Sequence, residues 1–198
     1  MAMPHNQLSV VYVPTDFVYP ENIPRINRLS DLELGGVALN DSSQGLQVTA
    51  WQAYISGTDF RVRKYPGLTN DAFLLTAAGS TEVSLAFDQS MNPALAFVQS
   101  GAAKFWWFDT FLAAYTITTL PAGSRTPMMT LDDHRASQSG ASDMLLFYLS
   151  ASGNLCYREQ RERFNTERVL ASGLGASTKI YQVGLAANLR MKIQIAPS

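Results

Sequence analysis

At 198 residues, with 46% hydrophobic and only 16% charged side chains, the chain can bury a sizeable core and falls outside the disordered class. A formal net charge of -1 removes any whole-surface attraction to nucleic acid or anionic lipid. The single cysteine, Cys156, excludes an intramolecular disulfide and reads as a small buried hydrophobe in a strand. No apolar run of about 18 residues offers a transmembrane helix, and the start Met1-Ala-Met-Pro-His-Asn-Gln7 lacks the basic and apolar regions of a signal peptide, so accumulation in the cytoplasm is expected.

Residues 1–40 differ from the rest. Pro4, Pro14, Pro20 and Pro24 interrupt the segment and bias their predecessors toward extended backbone, while short apolar stretches (8–13 and 17–19) lie between them. Such a segment is too apolar for a solvated tail and too broken for a helix. It either lies on its own domain or packs as an extended arm on a neighbouring subunit; the arm is the preferred reading, with Tyr12, Phe17 and Tyr19 as candidate subunit contacts. Residues 29–34 suit one turn of helix behind Ser30, with Glu33 at the capping-box position and Gly35-Gly36 ending it.

From residue 41 onward the pattern predicts an all-β domain of repeated antiparallel units. Residues 46–55 alternate with period two, turn through Ser56-Gly-Thr-Asp59, and return as Phe60-Arg-Val-Arg-Lys-Tyr65, with Phe60 and Val62 opposite Arg61 and Arg63. Two fuller units follow. The first is Val83-Ser-Leu-Ala-Phe-Asp88, Ala94-Leu-Ala-Phe-Val98, a turn containing Gly101, and Lys104-Phe-Trp-Trp-Phe-Asp109. The second is Met128-Met-Thr-Leu-Asp132, Met144-Leu-Leu-Phe-Tyr-Leu149, a turn at Ala151-Ser-Gly-Asn154, and Leu155-Cys-Tyr-Arg158. Corresponding positions lie about 45 to 52 residues apart, the period of a four-stranded β unit. The four consecutive rings from Phe105 to Phe108 place large groups on both faces of one strand. That favours a central core strand over a carbohydrate platform, which would need the rings exposed.

A strand is expected at Tyr115-Thr-Ile-Thr-Thr-Leu120 and an exposed polar insertion at 133–142. The charge cluster Arg158-Glu-Gln-Arg-Glu-Arg163 reads as continued strand, with Arg158 and Glu162 on one face and Glu159, Arg161 and Arg163 on the other. It is either a solvated edge that discourages stray pairing or a polar subunit contact, and Arg158, Arg161, Arg163 and Phe164 are its candidate contact residues. After a flexible connector at 172–177, Lys179-Ile-Tyr-Gln-Val183 and Leu189-Arg-Met-Lys-Ile-Gln-Ile195 form a closing hairpin. Its last strand alternates as if half-buried. About a dozen strands result. Their grouping suggests blade-like modules in a propeller-like or sandwich arrangement; closure within one chain or between subunits stays open.

No catalytic constellation stands out. His5 and His134 are far apart, one cysteine gives no zinc spacing, and the glycines fit no phosphate or dinucleotide loop. Asp132-Asp133-His134 has groups suited to metal or acid-base work, but adjacent aspartates at a strand end read better as turn formers, as do Asp88 and Asp109. No enzyme, cofactor or metal is expected.

The segments from Val83 to Val98 and from Lys104 to Asp109, with Leu131-Asp-Asp-His-Arg135, Ser142-Asp-Met-Leu-Leu-Phe-Tyr148 and Tyr157-Arg-Glu-Gln-Arg-Glu-Arg-Phe164, resemble virion proteins of tailed bacteriophages over about residues 36 to 170. The resemblance implies a non-catalytic virion component of the tail, baseplate or fibre-attachment region, assembled in the host cytoplasm. It would be homo-oligomeric and partnered by other virion proteins, with no direct nucleic-acid contact and no membrane insertion. Two rival expectations are a receptor-binding module that holds a host glycan at 133–142 or on exposed rings, and a glycan depolymerase.

Overall fold

The computed structural model describes residues 8–12, 35–40, 48–56, 58–65, 72–76, 78–88, 92–132, 143–185 and 191–197. Among these the protein is all-β, with fifteen strands in four sheets and one short 3-10 turn. Three sheets are antiparallel meanders of four strands. The first is β2 (Gly35–Asn40), β3 (Val48–Ser56), β4 (Asp59–Tyr65) and β5 (Ala72–Thr76). The second is β6 (Ser80–Phe87), β7 (Pro93–Gln99), β8 (Ala102–Asp109) and β9 (Ala114–Thr119). The third is β10 (Arg125–Asp132), β11 (Asp143–Leu149), β12 (Leu155–Glu159) and β13 (Arg168–Ala171). The fourth sheet joins the chain's two ends: β1 (Leu8–Tyr12) pairs in parallel with β15 (Met191–Pro197), which pairs antiparallel with β14 (Thr178–Leu185).

The two repeats found in the sequence are the second and third meanders. The hairpin read at 46–65 is the middle of another four-stranded meander, flanked by β2 and β5. The closing hairpin is likewise not alone, because β1 lies along its outer side. β15 also departs from the expected half-buried pattern: Lys192 is exposed, but Gln194 is buried along with Met191, Ile193 and Ile195.

Side-chain alternation builds the core between sheets. Along β11 all seven residues are buried, and alternate ones enter different clusters. Met144, Leu146 and Tyr148, with Cys156 and Phe164, pack against Ala94, Ala96, Phe105 and Trp107 of the second meander. Leu145, Phe147 and Leu149, with Leu155 and Tyr157, pack against Ile180, Val183, Met191, Ile193 and Ile195 of the end sheet. The third meander is therefore covered on both faces, which is why its strands read as near-continuous apolar runs. The aromatic strand β8 lies inside its sheet with Phe105, Trp106 and Trp107 buried, so the rings serve the core as expected. Phe60 and Phe97 meet at 5.4 Å between ring centroids and join the first meander to the second.

The leading strands β6, β10 and β14 share a further device. Each carries a register shift, at Thr81/Ser84, Arg125/Met128 and Ile180/Gln182, and Glu82 and Thr126 adopt φ of 52° and 48° in the first two. The irregular backbone frees groups that bond across the stack. Thr126 N–H donates to Glu82 Oε2 (3.1 Å), Met129 N–H to Ser84 Oγ (3.1 Å), and Ile180 N–H to Thr126 Oγ1 (3.4 Å).

The hairpin between β7 and β8 turns through Ser100 and Gly101, both at positive φ (52° and 74°), the geometry of a two-residue turn matched to strand twist. The segment 172–177, read as a flexible connector, is tied down instead. Leu174 N–H donates to Gly153 O (2.9 Å), and Arg125 donates to the carbonyls of Gly175 (2.9 Å) and Ala176 (3.2 Å). At Gly153 any Cβ would lie 2.4 Å from the Leu174 carbonyl oxygen, so only glycine permits that approach.

Phe17, Tyr19, the helical turn read at 29–34 and the polar insertion at 133–142 lie outside the described residues. Tyr12 ends β1 opposite Ile195.

Candidate interaction site

The charged segment after β12 is not a continued strand. β12 stops at Glu159, Gln160–Glu162 form the 3-10 turn, and Arg163 and Phe164 both adopt left-handed backbone (φ 54° and 57°). Arg163 N–H closes on Gln160 O (2.7 Å) and Phe164 N–H on Glu159 O (2.9 Å). The expected two-face alternation is therefore overturned. The reason is local: the turn satisfies its own backbone groups, Asp143 Oδ1 accepts the Arg161 N–H, and the chain reverses toward β13.

This turn throws the predicted contact residues into three ionic clusters. Arg161 donates from two nitrogens to Glu159 Oε2 (2.6 and 2.5 Å), also lies 3.2 Å from Asp143 Oδ2, and donates its backbone N–H to Asp143 Oδ1 (3.0 Å). Glu159 is fully buried, and Arg168 approaches it from the other side (3.8 Å) while bonding Glu162 at 2.6 Å. Arg158 donates to Tyr148 Oη (2.9 Å) and to the Phe164 carbonyl (2.9 Å), and Tyr148 in turn bonds Glu167. Burial first, and then Glu167, push the Tyr148 hydroxyl well above its ordinary range. The same two influences push the Cys156 thiol up to about 11, consistent with a buried structural cysteine.

The third cluster crosses between sheets. Arg163 grips Asp109 Oδ2 from two nitrogens (2.6 and 3.1 Å), while Asp109 Oδ1 accepts the backbone N–H groups of Phe111 (3.0 Å) and Leu112 (3.4 Å). Asp109 is thus a turn former, as read from its position, and also the anchor of an inter-sheet ion pair. Asp88 plays the plain turn role, accepting from the N–H and side-chain amide of Asn92 at 2.8 and 2.9 Å. Burial works to raise the Asp109 carboxyl, but the Arg163 hydrogen bond and the two N–H groups outweigh it and hold it below its ordinary value. Glu162 is held low chiefly by Arg168.

A carboxyl with a depressed folded pKa contributes stability above its unfolded pKa and loses it as pH falls through the folded one. Urea midpoints should accordingly decline as pH drops below about 4. Asp109→Asn should be less stable at neutral pH and show a shallower acid limb; an unchanged limb would exclude Asp109 as a contributor.

Of the predicted contacts on this segment, Phe164 is a core residue, with its ring wedged against Phe105 and Trp107, and it offers no surface. Arg158 and Arg161 spend their guanidinium groups on internal carboxylates and carbonyls. Arg163 alone of the three stays about half exposed (46%), its guanidinium 5.1 Å from the ring centroid of Phe111.

That ring belongs to a surface the sequence reading did not single out. Phe111 is 80% exposed, and Leu112, Tyr115 and Ile117 are exposed with it, along the β8–β9 turn and β9. Among the described residues β9 hydrogen-bonds to β8 on one side and to no other strand. Between Thr110 and Leu120 the chain carries no Asp, Glu, Lys, Arg or Pro, so this outer strand lacks the usual devices against edge pairing. The available signal was the threonine-rich, charge-free strand directly after an aromatic core strand.

Asp132 ends β10, and Asp133 and His134 lie outside the described residues, as does the candidate glycan loop at 133–142. Among the described residues no group of three or more His, Cys, Asp or Glu is placed to hold a metal, and no helix is long and apolar enough to cross a membrane. No protein-family model, curated protein or solved structure matches the chain.

Proposed function

We propose that this chain is a non-catalytic structural subunit of a tailed-bacteriophage particle, a tail, baseplate or fibre-attachment component that self-associates and docks other virion proteins. The observation that carries the reading is the uncharged, exposed outer strand β9 beside Phe111 and Leu112, on a body whose sheets are locked together by cores and ion pairs. Such a body presents a fixed surface, and a bare strand edge is the kind of surface that another chain covers. The virion setting rests on the sequence resemblance over about residues 36 to 170.

Light scattering over a concentration series should give a defined multimer, and purified tail proteins should co-assemble with it. A monodisperse monomer at high concentration that recruits no tail protein overturns the reading. A receptor-binding module is the second reading, favoured by Phe111: an exposed ring beside an arginine suits stacking on a sugar. Saturable binding on a glycan array, abolished by Phe111→Ala, would select it.

A further inference from the structure

We infer that the partner of β9 is β9 of a second copy, paired antiparallel about a two-fold axis through Ile117. This rests on the self-association proposed above and adds its surface, symmetry and register.

The backbone defines which groups are free. Leu120 N–H bonds Ala103 O (2.9 Å), so the pair Leu120 and Ala103 exchanges ladder bonds between β9 and β8. In an antiparallel ladder such pairs alternate. Thr118 opposite Phe105 and Thr116 opposite Trp107 therefore also point their backbone groups inward to β8. Tyr115, Ile117 and Thr119 then turn their N–H and C=O groups outward, to the open edge.

Three outward residues spaced by two, with Ile117 in the middle, form a self-complementary set. A second copy centred on Ile117 sets Ile117 against its own image, and Tyr115 against Thr119 twice. All three are hydrogen-bonded pairs. No charge stands on the strand, so no like-charge pair arises from the symmetry. The exposed parts of Phe111, Leu112, Tyr115 and Ile117 amount to roughly 400–500 Å² of apolar surface per copy. Doubled, and with the threonines and strand backbone added, the surface on offer to a partner is on the order of the roughly 1,000 Å² that a specific interface needs. The strand is also held ready: Tyr115 stacks flat on Trp106 (4.1 Å, 7°) and meets Phe108 edge-on (5.2 Å), so little order is lost on pairing.

Cross-linking through one introduced cysteine in the full chain reads the register. In a pair centred on Ile117 the two Cα atoms of that residue lie about 5.5 Å apart, within disulfide reach, whereas Thr116 and its image are offset by about 7–8 Å, beyond it. Ile117→Cys should form a disulfide-linked dimer under mild oxidation that reductant reverses. Thr116→Cys and the wild type, whose Cys156 is buried, should not. Ile117→Lys should lower the mass in sedimentation velocity to that of smaller species while the circular-dichroism spectrum keeps its β signature. Should Ile117→Lys fail to fold, the cross-link still decides. Absence of the Ile117→Cys cross-link in a chain that nevertheless self-associates overturns the β9 pairing and leaves the structural-subunit reading standing. A wild type that stays monomeric throughout overturns both.

Discussion

Replacing Phe164 by alanine is expected to lower the unfolding free energy by about 3–5 kcal/mol, the loss typical of a fully buried ring. Phe164 follows the 3-10 turn of the third meander but inserts its ring into the second, edge-on to Phe105 and Trp107 at 5.0 Å each. The substitution thus opens a void at the junction of two sheets, where neither can close it alone. A second variant separates ring from backbone. Because φ at this residue is 57°, the native conformation costs any non-glycine side chain about 1–2 kcal/mol, which the ring's packing offsets. Phe164→Gly should therefore be no less stable than Phe164→Ala, the reverse of the usual order. Urea denaturation followed by tryptophan fluorescence measures both; a loss under about 1 kcal/mol for alanine would show that the junction relaxes around the gap.

Glu159→Ala should cost about 2–4 kcal/mol, somewhat below a fully buried pair because its arginine partners keep some solvent contact. Glu159 is fully buried at the end of β12, bonded by Arg161 and approached by Arg168, which also lies over the Tyr157 ring at 5.7 Å. Removing the carboxylate leaves those guanidinium groups at a partly dry site with one anion fewer. Glu159→Gln should retain part of the stability, since an amide oxygen still accepts hydrogen bonds. A double-mutant cycle with Arg161→Ala should give a coupling of about 1–3 kcal/mol. Coupling near zero would mean that the pair behaves like an exposed surface bridge.

The sequence disclosed most where one physical rule acted alone. The period-two runs of β3 and β4, the continuous apolar run of β11, the Gly101 turn and the buried aromatic strand β8 all follow from local pattern and packing. It disclosed less where the decisive partner is distant. β2 opens on Gly35-Gly36, which also reads as a helix stop. β13 is four residues long and begins with Arg168, which a window centred on hydrophobic residues passes over. The parallel partner of β15 is β1, about 180 residues earlier in the chain. The charged turn was misread because Leu155-Cys-Tyr extrapolates naturally into more strand, and nothing in Arg158 to Arg163 announces left-handed backbone at Arg163 and Phe164. For the interaction surface, aromatic density drew attention to the rings that became core. The exposed edge was carried instead by threonines and one isoleucine.

The parallel pairing of β1 with β15 has a consequence for biosynthesis. Leu8 to Tyr12 are synthesised about 180 residues before their partners Met191 to Ile195, so the end sheet stays incomplete until β15 has left the ribosome. Until then Leu145, Phe147, Leu149 and Tyr157 lack the cover that Met191, Ile193 and Ile195 supply on that side. A chain that stops short of β14 and β15 would present this greasy face to its neighbours, and synthesis of those two strands is the step that seals it.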